Sequence, residues 1–317
     1  MVVTRLYFEI PDNQDGAQTY TIDLARELSK HHRRLVRQKQ IFTVYGGIYQ
    51  DTGGSNAYFS TAPHYWVTKR SINRAFKAWK KQISETMSAS ENSELRSGKW
   101  SDFKVMLDTS TMTEASAGNS GYLPAKDANG NNLPSGEWDY TTLTRPRPDV
   151  EANDGSFIAL ASDQFDLMIC GDHASQGSAN DGSLNYSRVG LIKSWLDSRP
   201  LPTVTDEPND NTDMTSDPLT MMFNLGDSDE DEKIIEAINS ENDTPPYDMD
   251  LLMGATGETG AGADLQMQCL VSPDSNSGVS SVAGFQAICG LIRIHTTGDN
   301  AGRASLILDV ESSGVGF

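Results

Sequence analysis

Two runs of cationic side chains have the types and spacing for chemistry, and the chemistry is the binding of phosphate. Lys30, His31, His32, Arg33, Arg34, Arg37 and Lys39 lie within ten residues, and Arg70, Arg74, Lys77, Lys80 and Lys81 form a second run. Lys and Arg at this density mark a surface that neutralises phosphates, with a plain solvated helix face as the alternative. They stand out because the chain is acidic overall, with 25 Lys+Arg against 44 Asp+Glu. Residues 1–105 hold 16 basic and 10 acidic side chains, and the remainder 9 and 34. An acidic surface suits salty surroundings, but that alone would not spare the first third, so the division predicts a molecule with a basic side and an acidic side.

Other chemistry is weakly represented. Gly254-Ala-Thr-Gly-Glu-Thr-Gly-Ala lacks the Gly-Lys-Ser/Thr ending of a phosphate loop. Asp227-Ser-Asp-Glu-Asp-Glu has Glu232 where a calcium loop needs glycine and Ile238 where it needs the bidentate acid. Asp127-Ala-Asn-Gly-Asn reads as a hairpin turn before it reads as a calcium site. His31 and His32 are adjacent and point about a third of a turn apart on a helix, a poor start for a metal site. Asp172-His173 sits in a Gly/Ser loop without an identifiable nucleophile. Cys170, Cys269 and Cys289 are odd in number and widely spaced, which predicts free thiols. No catalytic residue, metal or cofactor is expected. No run approaches the roughly 20 apolar residues of a membrane span, and MVVTRLYFEIPDNQ lacks the features of a signal peptide, so export by that route is not expected.

The elements that must position the cationic runs are two helices. Trp66–Met87 carries Ile72, Ala75, Phe76, Trp79, Ile83 and Met87 at steps of three and four, an inward stripe with Thr68 or Ser71 as cap. Its opposite face carries the second cationic run. Trp79 reads as core. From Thr21 to Lys39, Leu24, Leu28 and Leu35 share a helical face, with Asp23 and Glu27 early, as the helix dipole favours. Between them Gln40–Gln50 alternates as a strand whose Gly46-Gly47 marks a bulge or a close backbone approach.

Further strands are expected at Val2–Ile10, Phe103–Leu107, Phe157–Ala161, Phe165–Cys170, Tyr186–Leu196, Leu219–Leu225, Leu265–Val271, Phe285–His295 and Ala304–Val310, and an acid-led helix at Asp227–Asn239; Ala57-Tyr58-Phe59-Ser60 follows a Gly/Ser turn. In the loop-rich middle of the chain, Trp138 and Tyr140 are the few anchors. About nine or ten short strands with helices inserted irregularly disfavour a parallel α/β sheet. The expected fold is mainly β, a jelly-roll β-sandwich with inserted helices and long loops, forming a single domain over 1–317 with 108–156 and 199–217 as surface insertions. A double jelly roll with halves 1–160 and 161–317 is the alternative.

The residues Asp23 to Gln38, Pro63 to Thr68, Phe76 and Trp79, together with the late Ala287-Ile-Cys-Gly-Leu-Ile-Arg-Ile, resemble capsid proteins of small environmental single-stranded DNA viruses over about 80 residues. The resemblance implies a subunit that self-assembles into an icosahedral shell around a genome, within a virion assembled inside the host cell. Its partners would be copies of itself, the viral genome and a host-surface receptor. Members commonly begin with an Arg-rich arm, whereas this chain opens on a strand, which leaves genome contact to the basic helices. The candidate contacts are Lys30, Arg33, Arg34, Arg37, Arg74, Lys77 and Lys81. The competing reading is a non-enzymatic carbohydrate-binding or adhesive β-sandwich; a glycoside-acting enzyme would need paired carboxylates that only a fold can bring together.

Overall fold

Alternating apolar and polar side chains build the strands, and the inward set of each strand meets one shared core. In β1 (Thr4–Ile10), Leu6, Phe8 and Ile10 are buried while Arg5, Tyr7 and Glu9 face out. The computed structural model describes residues 3–11, 17–51, 53–89, 100–108, 114–115, 119–146, 162–175, 186–198, 252–255, 265–274, 277–297, 304–313 and 316. Then come β2 (Gln18–Asp23), α1 (Leu24–His32), β3 (Ile41–Gln50), β4 (Asn56–Thr61), α2 (Trp66–Ala89), β5 (Gly121–Tyr122), β6 (Thr142–Pro146), β7 (Ser162–Met168) and β8 (Ala174–Ser175). The remaining elements are β9 (Tyr186–Gly190), α3 (Leu191–Asp197), β10 (Gln266–Val271), β11 (Val279–Val282), β12 (Phe285–Ile288), β13 (Leu291–Thr297) and β14 (Ala304–Ser312).

The protein is mainly β, with two antiparallel sheets that share one core. The first runs β1-β14-β3-β11, with β12 also on β3; the second runs β10-β4-β13-β2, with the short β5 parallel to β2 at its edge. Phe8, Phe42, Val44, Leu306 and Leu308 of the first sheet and Tyr20, Ile22, Phe59, Ile292 and Ile294 of the second belong to a single buried cluster. Burying each large side chain contributes about 1.5–3 kcal/mol. A third sheet, β6-β7-β9-β8, lies within the long connection from β4 to β10. Among the described residues, no helix is long and apolar enough to cross a membrane.

Compact units in the chain are two: Met1–Ser198 with Met253–Phe317, and Arg199–Leu252. Residues 199–251 are outside the described set, and with them the expected insertion 199–217, the strand at Leu219–Leu225 and the helix at Asp227–Asn239. The strand expected at Phe157–Ala161 is outside it too.

Several expectations need correction. The run Phe285–His295 is two strands in different sheets, because Cys289 and Gly290 take left-handed φ of 58° and 70° and turn the chain from β12 into β13. A Cβ at Gly290 would come within 2.9 Å of the Phe42 ring, so the turn tolerates only glycine there. Tyr186–Leu196 is a strand followed by a helix: beyond Gly190, Leu191, Ile192, Trp195 and Leu196 have helical spacing and Leu191 and Ile192 are buried. Phe103–Leu107 is buried but joins no ladder. Its backbone is satisfied by Thr141 Oγ1 at Lys104 N (2.9 Å), by the Gln38 side chain at Val105 and by Leu167 O at Met106 N (3.0 Å). β2 was hidden in the expected start of α1, since Tyr20 and Ile22 alternate inward for only a few residues before Asp23 caps the helix.

In α2, Ser71 does not cap; it lies inside the helix and its Oγ donates to Thr68 O (2.9 Å). The stripe holds through Ile72 and Ala75 and fades outward, so that Phe76, Trp79 and Ile83 are half-buried and Met87 is exposed. Residues 108–156 are more than a surface insertion: Tyr122, Leu123, Ala125 and Leu143 are buried. The expected turn after Lys126 is present, with Asp127 Oδ1 accepting from Asn129 N (2.9 Å) and Asn131 N (2.8 Å). The Gly46-Gly47 approach is also present. β3 slips register against β14 at this point, and a Cβ on Gly47 would lie 2.1 Å from Ile307 O.

Candidate nucleic-acid interface

The first cationic run is positioned by how α1 begins and ends. Asp23 closes β2 and caps α1, accepting from Arg26 N at 3.1 Å. Its fully buried carboxylate also receives Gln38 Nε2 (3.3 Å), Trp138 Nε1 (3.2 Å) and Tyr140 Oη (3.4 Å). Burial is the main cause that pushes this carboxyl up to about 7. Gln38 extends the hub, donating to Val105 O (2.9 Å) and accepting from Val105 N (2.6 Å). Trp138 and Tyr140, the anchors expected from sequence, thus fasten the middle of the chain to α1. Cys170, Cys269 and Cys289 are free, and burial raises all three thiols.

Lys30 does not belong to the exposed set. Its Nζ donates to the buried Glu27 carboxylate (2.7 Å) and to Tyr122 Oη (3.0 Å), and its side chain is only 8% exposed. Glu27 needs this partner. It is buried, its other oxygen accepts from Ala125 N (2.8 Å), and burial raises its carboxyl. A lysine that compensates a buried acid is unavailable to phosphate.

Arg33, Arg34 and Arg37 are exposed, but on a connector and not on a helix. Arg33 adopts φ 54°, ψ 35°, which ends α1 in the left-handed region. Ser29 Oγ then donates to Ala25 O (2.6 Å) and accepts from Val36 N (2.9 Å), turning Val36 inward where the helical pattern had expected Leu35. Arg37 is 81% exposed and lies 4.0 Å from Asp102. On α2, Arg74, Lys77 and Lys81 are exposed as expected, and Lys81 meets Glu85 at 3.5 Å.

The connector and α2 enclose a groove of about 720 Å³. Arg34, Arg37, Lys39 and Lys80 line it, over a floor that includes Phe76 and Trp79. Lys39 Nζ stands 4.8 Å above the Phe76 ring, and burial lowers its pKa. Of the seven residues singled out from sequence, the groove gathers Arg34 and Arg37; Arg33, Arg74, Lys77 and Lys81 lie outside its lining. Sequence reasoning passed over Lys39 and Lys80 as contacts, although both were visible in the cationic runs. Trp79, read as core, lines both this groove and a second cleft of about 670 Å³ that also holds Trp100, Asp102, Glu137 and Asp139.

The Asp172-His173 pair has a structural use. Gly190 N donates to His173 Nδ1 (3.2 Å), and Nε2 faces Asp197 Oδ2 (3.2 Å), so both ring nitrogens are engaged. His32 Nε2 meets Thr4 Oγ1 at 3.0 Å. Among the described residues, no group of three or more His, Cys, Asp or Glu is gathered as a metal site. Comparison with protein-family models, with curated proteins and with solved structures gave no match.

Proposed function

We propose that this chain is a capsid protein: a jelly-roll subunit that assembles with copies of itself into a closed icosahedral shell and holds a nucleic-acid genome against a basic inner surface. The observation that carries the reading is the strand order. With the sandwich strands counted in chain order, and β11 and β12 taken as one broken strand, one sheet runs 1-8-3-6 and the other 5-4-7-2. This order supports the jelly-roll reading, because two Greek keys wound together would place the strands of the two sheets in that sequence. A fold does not by itself give a function. Further support comes from the exposed cations Arg33, Arg34, Arg37, Arg74, Lys77 and Lys81 within an otherwise acidic chain, and from the resemblance carried by Asp23–Gln38 and Pro63–Thr68. The role is structural, in a virion formed inside the host cell, and acidic loops would face outward and keep particles apart.

Light scattering and negative-stain microscopy of the purified protein at low and high salt test this reading. Uniform closed shells with nuclease-protected nucleic acid are expected, and a monomer under every condition would overturn it. Reversing Arg33, Arg34 and Arg37 to Glu is expected to yield shells emptied of genome, whereas unchanged packaging would remove those residues from the interface. The second cleft favours one other reading, glycan binding, because Trp79 and Trp100 beside Asp102, Glu137 and Asp139 combine ring faces with carboxylate acceptors. A monomer that binds sugars would establish it.

A further inference from the structure

We infer that the groove between the connector and α2 is a base-stacking site for single-stranded nucleic acid, with the indole of Trp79 as the platform and Arg34, Arg37, Lys39 and Lys80 holding the phosphates on either side. The inference rests on the nucleic-acid reading above and specifies its chemistry. Trp79 is half-buried, backed by Phe103 at 5.9 Å and by Phe76 at 5.7 Å between ring centroids. Phe76 meets Phe103 edge-on at 85°, so the three rings brace one another and the Trp79 rotamer is held. Half-buried Trp79 lines this groove and the second cleft alike.

Four cations at the rim of one groove supply the phosphate attraction that any nucleic acid would feel. An aromatic floor adds a second requirement, because it reaches bases only when they are unstacked, and bases inside a duplex are not. Asp102 lies 4.0 Å from Arg37 and lines the groove, which leaves one negative group there and limits how many phosphates fit. Stacking on one aromatic side chain is worth roughly 5- to 150-fold in affinity per base.

The test is a titration of the full chain against a fluorescein-labelled oligodeoxythymidine and against a hairpin duplex of the same length, by anisotropy at several salt concentrations. The single strand is expected to bind more tightly than the duplex. Trp79→Leu is expected to weaken single-strand binding on the order of tenfold without changing the slope of log affinity against log salt, because stacking releases no counterions. Trp79→Phe is expected to recover most of that loss, which controls for damage to the fold. Arg34→Gln with Arg37→Gln is expected to reduce the slope. Equal binding of duplex and single strand, or full affinity in folded Trp79→Leu, would overturn the stacking site. Light scattering on the same samples separates the two readings. Shells with an inert Trp79 would leave the capsid reading standing without the stacking site, and Trp79-dependent binding by a monomer would do the reverse.

Discussion

Asp23 shows how one side chain can serve position and stability at once. Its folded pKa, about 7, lies above that of a free aspartate, so the folded protein holds a proton that the unfolded chain has lost between roughly pH 4 and 7. Stability from this group is therefore greatest on the acid side, declines as pH rises through that window and is level above it. The lowered pKa values of His32, His64 and His295, each lowered chiefly by burial, act in the opposite sense. Those histidines are common to the wild type and to Asp23→Asn, so the difference between the two isolates the aspartate. The wild-type melting temperature minus that of Asp23→Asn is expected to rise by a few degrees from pH 8 to pH 6; a constant difference would mean that Asp23 is ionised throughout. Arg33 carries a different cost, its left-handed backbone. Arg33→Gly is expected to raise stability in urea by up to about 1 kcal/mol while weakening nucleic-acid binding, so that the two readouts move apart. Neither feature was legible in the sequence. Asp23 looked like an ordinary acid in a first helical turn, and Lys30, buried against Glu27, looked like its exposed neighbours.

Elements were legible where a single period ran uninterrupted. β1 and β14 alternate cleanly against one core, β3 alternates as far as its Gly46-Gly47 slip, and α2 has its stripe. Elements were lost where two periods abut: β2 runs directly into α1, β9 into α3, and β12 turns into β13 without a polar break. The groove was invisible for another reason, since residues near position 37 and near position 79 meet only through tertiary packing. Gly47 is where an element is most exposed to a single change. Gly47→Ala is expected to destabilise by about 3 kcal/mol or more, because the added methyl meets the Ile307 carbonyl. Gly130→Ala, with φ 79° but open space around it, is expected to cost only about 1 kcal/mol. Urea denaturation of both measures the contrast, and equal losses would mean that the β3–β14 approach yields to the added methyl at little cost.

At the scale of the whole molecule, charge is divided along the chain while structure is not. The sandwich takes β1 to β4 from the beginning of the chain and β10 to β14 from its end, with residues 62–265 between them. β14 lies between β1 and β3, and β13 between β2 and β4. On a ribosome, then, the first four strands emerge with none of their sheet neighbours yet made. At roughly 5–20 residues per second, synthesis of the intervening stretch leaves them waiting on the order of 10–40 s. Throughout that interval β1 to β4 present open edges and the apolar faces of Phe8, Phe42 and Phe59. Formation of the sandwich is thereby tied to synthesis of β10 to β14, and the nascent protein needs an escort, a chaperone or its own early helices, until those strands arrive.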